Sequence, residues 1–221
     1  MNLTADLLGP VWYWAALPVA GILLLDAAAR APWRWLSDNA RLHVFLGTVV
    51  ALAVLWSIRA GVLPGLGFHL LGATACTLMF GPRLALTAMT LVMLGAAASG
   101  GLQWWSLAPN VLLMGAVPVA VSAAILHAVE RWLPAHLFVY IFAASFFGAA
   151  AAMLATGLAA IVLLGAAGIY SFDFLAAEYA PWFLLMAWSE AFITGAAITL
   201  MVVYRPDWVA TFDDTRYLGN R

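Results

Sequence analysis

Apolar residues fall in seven stretches, at positions 11–28, 42–58, 69–80, 84–102, 111–129, 137–169 and 182–204, and charge is nearly confined to the joints between them. A helix needs about 20 such residues to cross the hydrocarbon layer. The third stretch is too short to span alone, and Gly61, Pro64, Gly65 and Gly67 precede it. It is expected to begin as irregular backbone dipping into the bilayer, which is tolerated only where protein or water satisfies the freed amides. The sixth is long enough to tilt or overrun the bilayer. The predicted fold is all-α, a polytopic transmembrane bundle of about seven helices.

Composition agrees with the pattern. Hydrophobic residues make up 66% of the 221, charged residues 9%, and mean hydropathy is +1.01, against about a quarter charged in soluble domains. Seven spans of roughly 20 residues use some 140 positions, so no separate soluble domain fits. Residues 1–204 are read as one transmembrane bundle domain and 205–221 as a short cytoplasmic tail. Cys76 is the one cysteine, which excludes an internal disulfide and a multi-cysteine metal cluster.

There is no lysine, so orientation rests on arginine. An external amino terminus with seven spans puts eight of the nine arginines on the cytoplasmic side and only Arg59 opposite, as the positive-inside rule requires. The carboxy terminus is then cytoplasmic. Outer loops carry Asp6, Asp173 and Glu178, with Trp104, Trp105, Tyr170 and Tyr179 suited to an interface belt. The first stretch has no preceding positive charge and contains Trp12, Tyr13 and Trp14, unlike a cleavable signal peptide. Ala144, Gly148 and Ala152 at four-residue spacing, and Gly95 with Ser99, are expected where helices approach closely.

Glu190 lies in the last stretch, with no basic residue in that stretch before Arg205. A carboxyl group at bilayer depth is costly unless it faces protein or a water-filled cavity, so it is a functional candidate by default; a polar contact between helices is the other reading. His69, Thr74, Cys76, Asn110, Ser122 and Thr194 complete the polar set at depth. On a continuous helix His69, Gly72, Cys76 and Met79 share a face, and imidazole, thiol and thioether suit a soft or borderline metal. Met79, Met89 and Met93 are equally ordinary filler in membrane helices. His69, after a glycine-proline loop at the outer side, is either a metal ligand or a partner for freed backbone. His43, His127 and His136 lie at the cytoplasmic interface and are not assigned a site.

Enzyme signatures are missing: no phosphate-binding glycine loop, HExxH or GxSxG occurs. Catalytic and cofactor-binding residues are therefore assigned as none. The ending YRPDWVATFDD interleaves charge and aromatics; it is expected either to dock on the bundle or a partner, or to be solvated.

Four segments, GLGFHLLGAT (65–74), FGPRLAL (80–86), LAPNVLLMG (107–115) and SEAFITG (189–195), resemble the cobalt/nickel substrate-capture subunits of energy-coupling factor transporters. The likeness covers roughly residues 1–204, and with the YRPDWVATFDD ending the whole chain is similar to a bacterial subgroup classed with those permeases. The resemblance implies a subunit of the bacterial inner membrane that binds a divalent transition metal, cobalt or nickel, near its outer face. A separate membrane coupling protein and ATPase subunits would drive uptake; lipid, metal ion or small solute are the partners, and nucleic acid is not. In that family the terminal amine, a second-position histidine and a loop histidine hold the metal. Carried over, these are Met1, Asn2 and His69, with one imidazole lost because position 2 is asparagine; Asn110 and Glu190 are the polar residues of the substrate pocket. The alternative is an orphan membrane protein acting in copper handling or in assembly of a membrane metalloenzyme, using His69, Cys76 and Met79. A membrane enzyme is least favoured, since no nucleophile and base pair is visible.

Overall fold

A computed structural model describes residues 3, 4, 6–58, 60, 61, 63–217 and 219. Among these, every long element is a helix, and extended pairing is limited to one bridge between Ala60 and Phe68. Five helices are long and apolar enough to cross a membrane: α1 (Pro10–Arg30), α2 (Asn39–Ser57), α5 (Trp104–Trp132), α6 (Leu137–Ala166) and α7 (Phe172–Tyr204). Two shorter helices lie between α2 and α5, namely α3 (Ala73–Phe80) and α4 (Pro82–Ala98). The seven helices coincide with the seven apolar stretches, and α3 begins only after backbone at 60, 61 and 63–72 that is not helical.

Burial sorts the helices. α1 and α2 expose large apolar side chains, among them Val11, Ile22, Leu25, Val50 and Val54, as lipid-facing helices do. Seven of the eight residues of α3 are buried, and α4 is buried along much of its length, so these short helices sit inside the bundle. Small residues let backbones close around α3: Gly148 of α6 is so placed that a β-carbon would lie 3.6 Å from Ile125 of α5 and 3.8 Å from Thr74 of α3. Hydroxyls add a second tie, with Thr74 and Ser122 2.7 Å apart and the Ser122 hydroxyl donating to the Pro118 carbonyl at 2.7 Å.

Two sequence expectations are corrected. A β-carbon at Gly95 would meet nothing within 4 Å, so Gly95 and Ser99 do not mark a helix contact; they border a cavity described below. Tyr179 is 1% exposed and packs on Phe68 and Phe183, so it belongs to the core, whereas Trp104 and Trp105 are exposed as a belt requires.

The segment after α7 docks on the bundle. Ala210 N–H donates to the Met79 carbonyl at 2.9 Å, and Thr211 donates to the Leu78 carbonyl through its N–H at 3.2 Å and its hydroxyl at 2.7 Å. These bonds satisfy carbonyls that the end of α3 cannot use itself. Val209, Phe212 and Tyr217 are buried, the last two against Tyr140.

Candidate metal site

The irregular backbone before α3 is held by side chains from α2, α7 and Tyr170 and by a backbone pair of its own. Glu190 of α7, 3% exposed, accepts from Leu71 N–H at 2.8 Å and from Gly72 N–H at 2.6 Å. Trp56 of α2 donates its indole N–H to the Leu71 carbonyl at 3.1 Å, and the Tyr170 hydroxyl donates to the Pro64 carbonyl at 3.0 Å. Ala60 and Phe68 exchange backbone bonds of 3.0 and 2.6 Å. Broken backbone at bilayer depth is thus satisfied by protein, which is the condition for its survival there. Gly72, with φ +67°, supplies the left-handed turn into α3.

His69 lies in this segment at 4% exposure, its ring centroid 4.8 Å from that of Trp56. Its Nδ1 is 3.0 Å from the Leu70 carbonyl. A carbonyl only accepts, so in the neutral ring Nδ1 carries the proton and Nε2 the lone pair, the tautomer a metal ligand uses. The ring borders a cavity of about 320 Å³ between α2, α4 and α5, lined also by Trp56, Ser57, Met93, Ser99 and Met114. A second cavity, of about 300 Å³, lies between α2, α3 and α7 and is lined by Leu52, Gly72, Cys76, Met79, Glu190 and Met201.

The expected stripe of His69, Gly72, Cys76 and Met79 does not form, because the helix begins at Ala73. His69 borders the first cavity while Cys76 and Met79 border the second. Glu190 likewise falls with Cys76 in the second cavity, and it accepts from the backbone N–H groups of Leu71 and Gly72. Asn110 clamps the amino-terminal segment: its Oδ1 accepts from Leu3 N–H at 3.0 Å, and its amide N–H groups donate to the Leu3 carbonyl at 2.9 Å and the Ser106 carbonyl at 2.8 Å. Leu3 is fully buried. Met1 and Asn2, the other residues assigned to metal, lie outside the described residues. Asn110 directly precedes a π-helical stretch, Val111–Ala116, that includes Met114, so the clamp and the His69 cavity share one part of α5.

A family model described as CbiM, the cobalt uptake substrate-specific transmembrane region, matches residues 2–208. The chain belongs to that family. A membrane substrate-capture component for metal uptake, of the cobalt type, is therefore what it is. Its fold is similar to a solved structure described as a transition metal transporter, with a TM-score of 0.78, 18% identity, and coverage of 91% of this chain and 92% of that one. A truncated transition metal transporter is similar at TM-score 0.74 and 18% identity, covering 92% of this chain and 99% of that one. No curated protein matches the sequence.

Within this CbiM-family chain, no group of three or more His, Cys, Asp or Glu side chains that could hold a metal occurs among the described residues. Any ion at His69 must draw on other donors. Sequence reasoning missed Trp56, Met114 and the Leu3 backbone. Asn110 signalled a buried amide needing partners, but its partner 107 positions away leaves no trace in local pattern.

Proposed function

We propose that this chain captures a transition-metal ion at His69 and hands it to a separate membrane coupling protein driven by ATPase subunits in the bacterial inner membrane. His69 Nε2 is the side-chain nitrogen ligand. The terminal amine of Met1 and the Asn2 amide join it from the start of the chain, which Asn110 ties to the bundle through Leu3. The observation that carries the reading is this two-way clamp: an asparagine buried at bilayer depth spends three hydrogen bonds, two of them fixing the backbone of the third residue. Fixing this backbone costs conformational entropy of about 1–2 kcal/mol per residue, and a ligand role for the adjoining residues gives that cost a purpose. Glu190 supports the site indirectly by anchoring the amides after His69. Residues 205–221 form the cytoplasmic tail, residues 1–204 the bundle, and the chain performs no chemistry on its cargo.

Equilibrium dialysis of the detergent-purified chain against cobalt, nickel and copper ions tests the reading. Binding near one ion per chain is expected, weakened by His69→Ala and by Asn110→Leu. Equal binding by wild type and both variants would overturn it.

A further inference from the structure

We propose that a groove between α1 and α5 holds one phospholipid whose head group carries an ammonium, phosphatidylethanolamine being the type, and that this lipid braces the amino-terminal segment. Among the described residues the groove shares no lining residue with the His69 cavity, and its occupancy does not require a bound metal.

The groove has a volume of about 690 Å³. Pro10, Trp14, Leu17, Gly21 and Leu24 of α1 form one wall, at alternating four- and three-residue spacings that return to a single helix face. From Pro10 to Leu24 that face runs about 21 Å at 1.5 Å per residue, enough to follow a lipid chain through its own leaflet of roughly 15 Å. Leu107, Ala108 and Val111 of α5 stand opposite. A helix about 10 Å across and of this length fills about 1,600 Å³, more than twice the groove, whereas an acyl chain one methylene wide can enter it.

The two ends of the groove differ in chemistry. Leu17, Gly21 and Leu24 carry it into the apolar layer, while Asp6, Trp104 and Trp105 gather where α1 and α5 both begin. Trp104 and Trp105 are exposed, as side chains at a membrane–water interface are. A head group at that level meets the Asp6 carboxylate and two indole rings, and both attract an ammonium. Phosphatidylglycerol, which has the phosphate without the ammonium, meets the carboxylate as a repulsion.

Tyr13 ties the groove to the start of the chain. It lines the groove, and its hydroxyl accepts from Leu8 N–H at 3.0 Å and donates to the Thr4 carbonyl at 2.7 Å. Leu107 and Ala108 lie just before Asn110, which clamps Leu3. A lipid chain in the groove therefore packs against the supports of residues 3–8, and by keeping water from the Tyr13 bonds it strengthens them.

Native mass spectrometry of the full chain in mild detergent tests the proposal, with phosphatidylethanolamine and phosphatidylglycerol of identical acyl chains titrated separately. One phosphatidylethanolamine should bind about fivefold more tightly than phosphatidylglycerol. Asp6→Asn, at an exposed position, should bring the two affinities close together. Gly21→Phe should abolish the selective binding; a β-carbon there meets nothing within 4 Å, so the ring enters the groove without moving the helix. In phosphatidylglycerol nanodiscs, adding phosphatidylethanolamine should slow hydrogen exchange of the peptide covering residues 3–13 about threefold, a fraction of one hydrogen bond's worth, and Gly21→Phe should remove that response. Equal affinity for the two lipids in wild type, selectivity that survives Gly21→Phe, or a polypeptide or second copy displaced by Gly21→Phe in place of lipid would overturn the site. Exchange indifferent to phosphatidylethanolamine would overturn the bracing role. Failure of metal to bind would leave every one of these readings intact.

Discussion

Replacing Glu190 by glutamine removes charge and one acceptor from the segment that carries His69. The carboxylate accepts from two consecutive backbone amides, Leu71 and Gly72, at 2.8 and 2.6 Å in a site only 3% exposed. Glutamine keeps one carbonyl oxygen and turns an N–H₂ donor toward the other amide. Losing a charge-assisted bond costs about 1.5–3 kcal/mol, and a buried donor left unsatisfied about 1–3 kcal/mol, terms that overlap, so roughly 2–4 kcal/mol is expected. At 1.4 kcal/mol per factor of ten, local opening of the segment rises at least about thirtyfold. Hydrogen exchange followed by mass spectrometry on peptides covering residues 66–74 reads this directly. Glu190→Gln should accelerate exchange there and leave α6 unaffected. Unchanged protection at residues 71 and 72 would refute the assignment of Glu190 as the anchor of this segment, since the bonds would then contribute nothing in solution.

Other parts of the fold give independent checks. Asn110→Leu should free Leu3, cost about 1–3 kcal/mol for the stranded backbone groups, and make the amino-terminal peptide exchange faster than in wild type. Gly72→Ala should lower the unfolding temperature somewhat more than Gly81→Ala. Both glycines have positive φ, at a cost of roughly 1–2 kcal/mol for alanine, but only at Gly72 would a β-carbon collide with Leu52, while Gly81 has open space. In the exposed tail, the Thr215 hydroxyl, and then its N–H, hold the Asp213 carboxyl below its usual range. A depressed folded-state value stabilises the tail above the ordinary aspartate range and loses that contribution as pH falls through the depressed value. Acidification should therefore loosen the tail, read as faster proteolysis there, and Asp213→Asn should flatten that part of the pH dependence.

The fold was legible because a bilayer imposes one length and one composition on every span. The short third stretch with its glycines announced broken backbone, and the structure places α3 just where the glycines end. The site was legible only in part. His69, Asn110 and Glu190 stood out as polar groups at depth, yet their partners are the backbone of Leu70, of Leu3, and of Leu71 and Gly72, and backbone groups are the same at every position. Cys76 and Met79 were grouped with His69 by assuming a helix where the chain is irregular. Met93 and Met114 pass for filler until the packing of α4 against α5 sets both on one cavity wall. The tail carried docking aromatics, and what it docks on, the carbonyls of Leu78 and Met79, was again backbone.

The central claim is that His69 holds a captured metal ion. Elemental analysis of the chain purified in mild detergent from metal-replete cells, beside His69→Ala prepared identically, tests it most directly. The account predicts a transition metal near one per chain in wild type, lost in the variant while the bundle stays folded. Metal absent from both, or retained undiminished by His69→Ala, would contradict it.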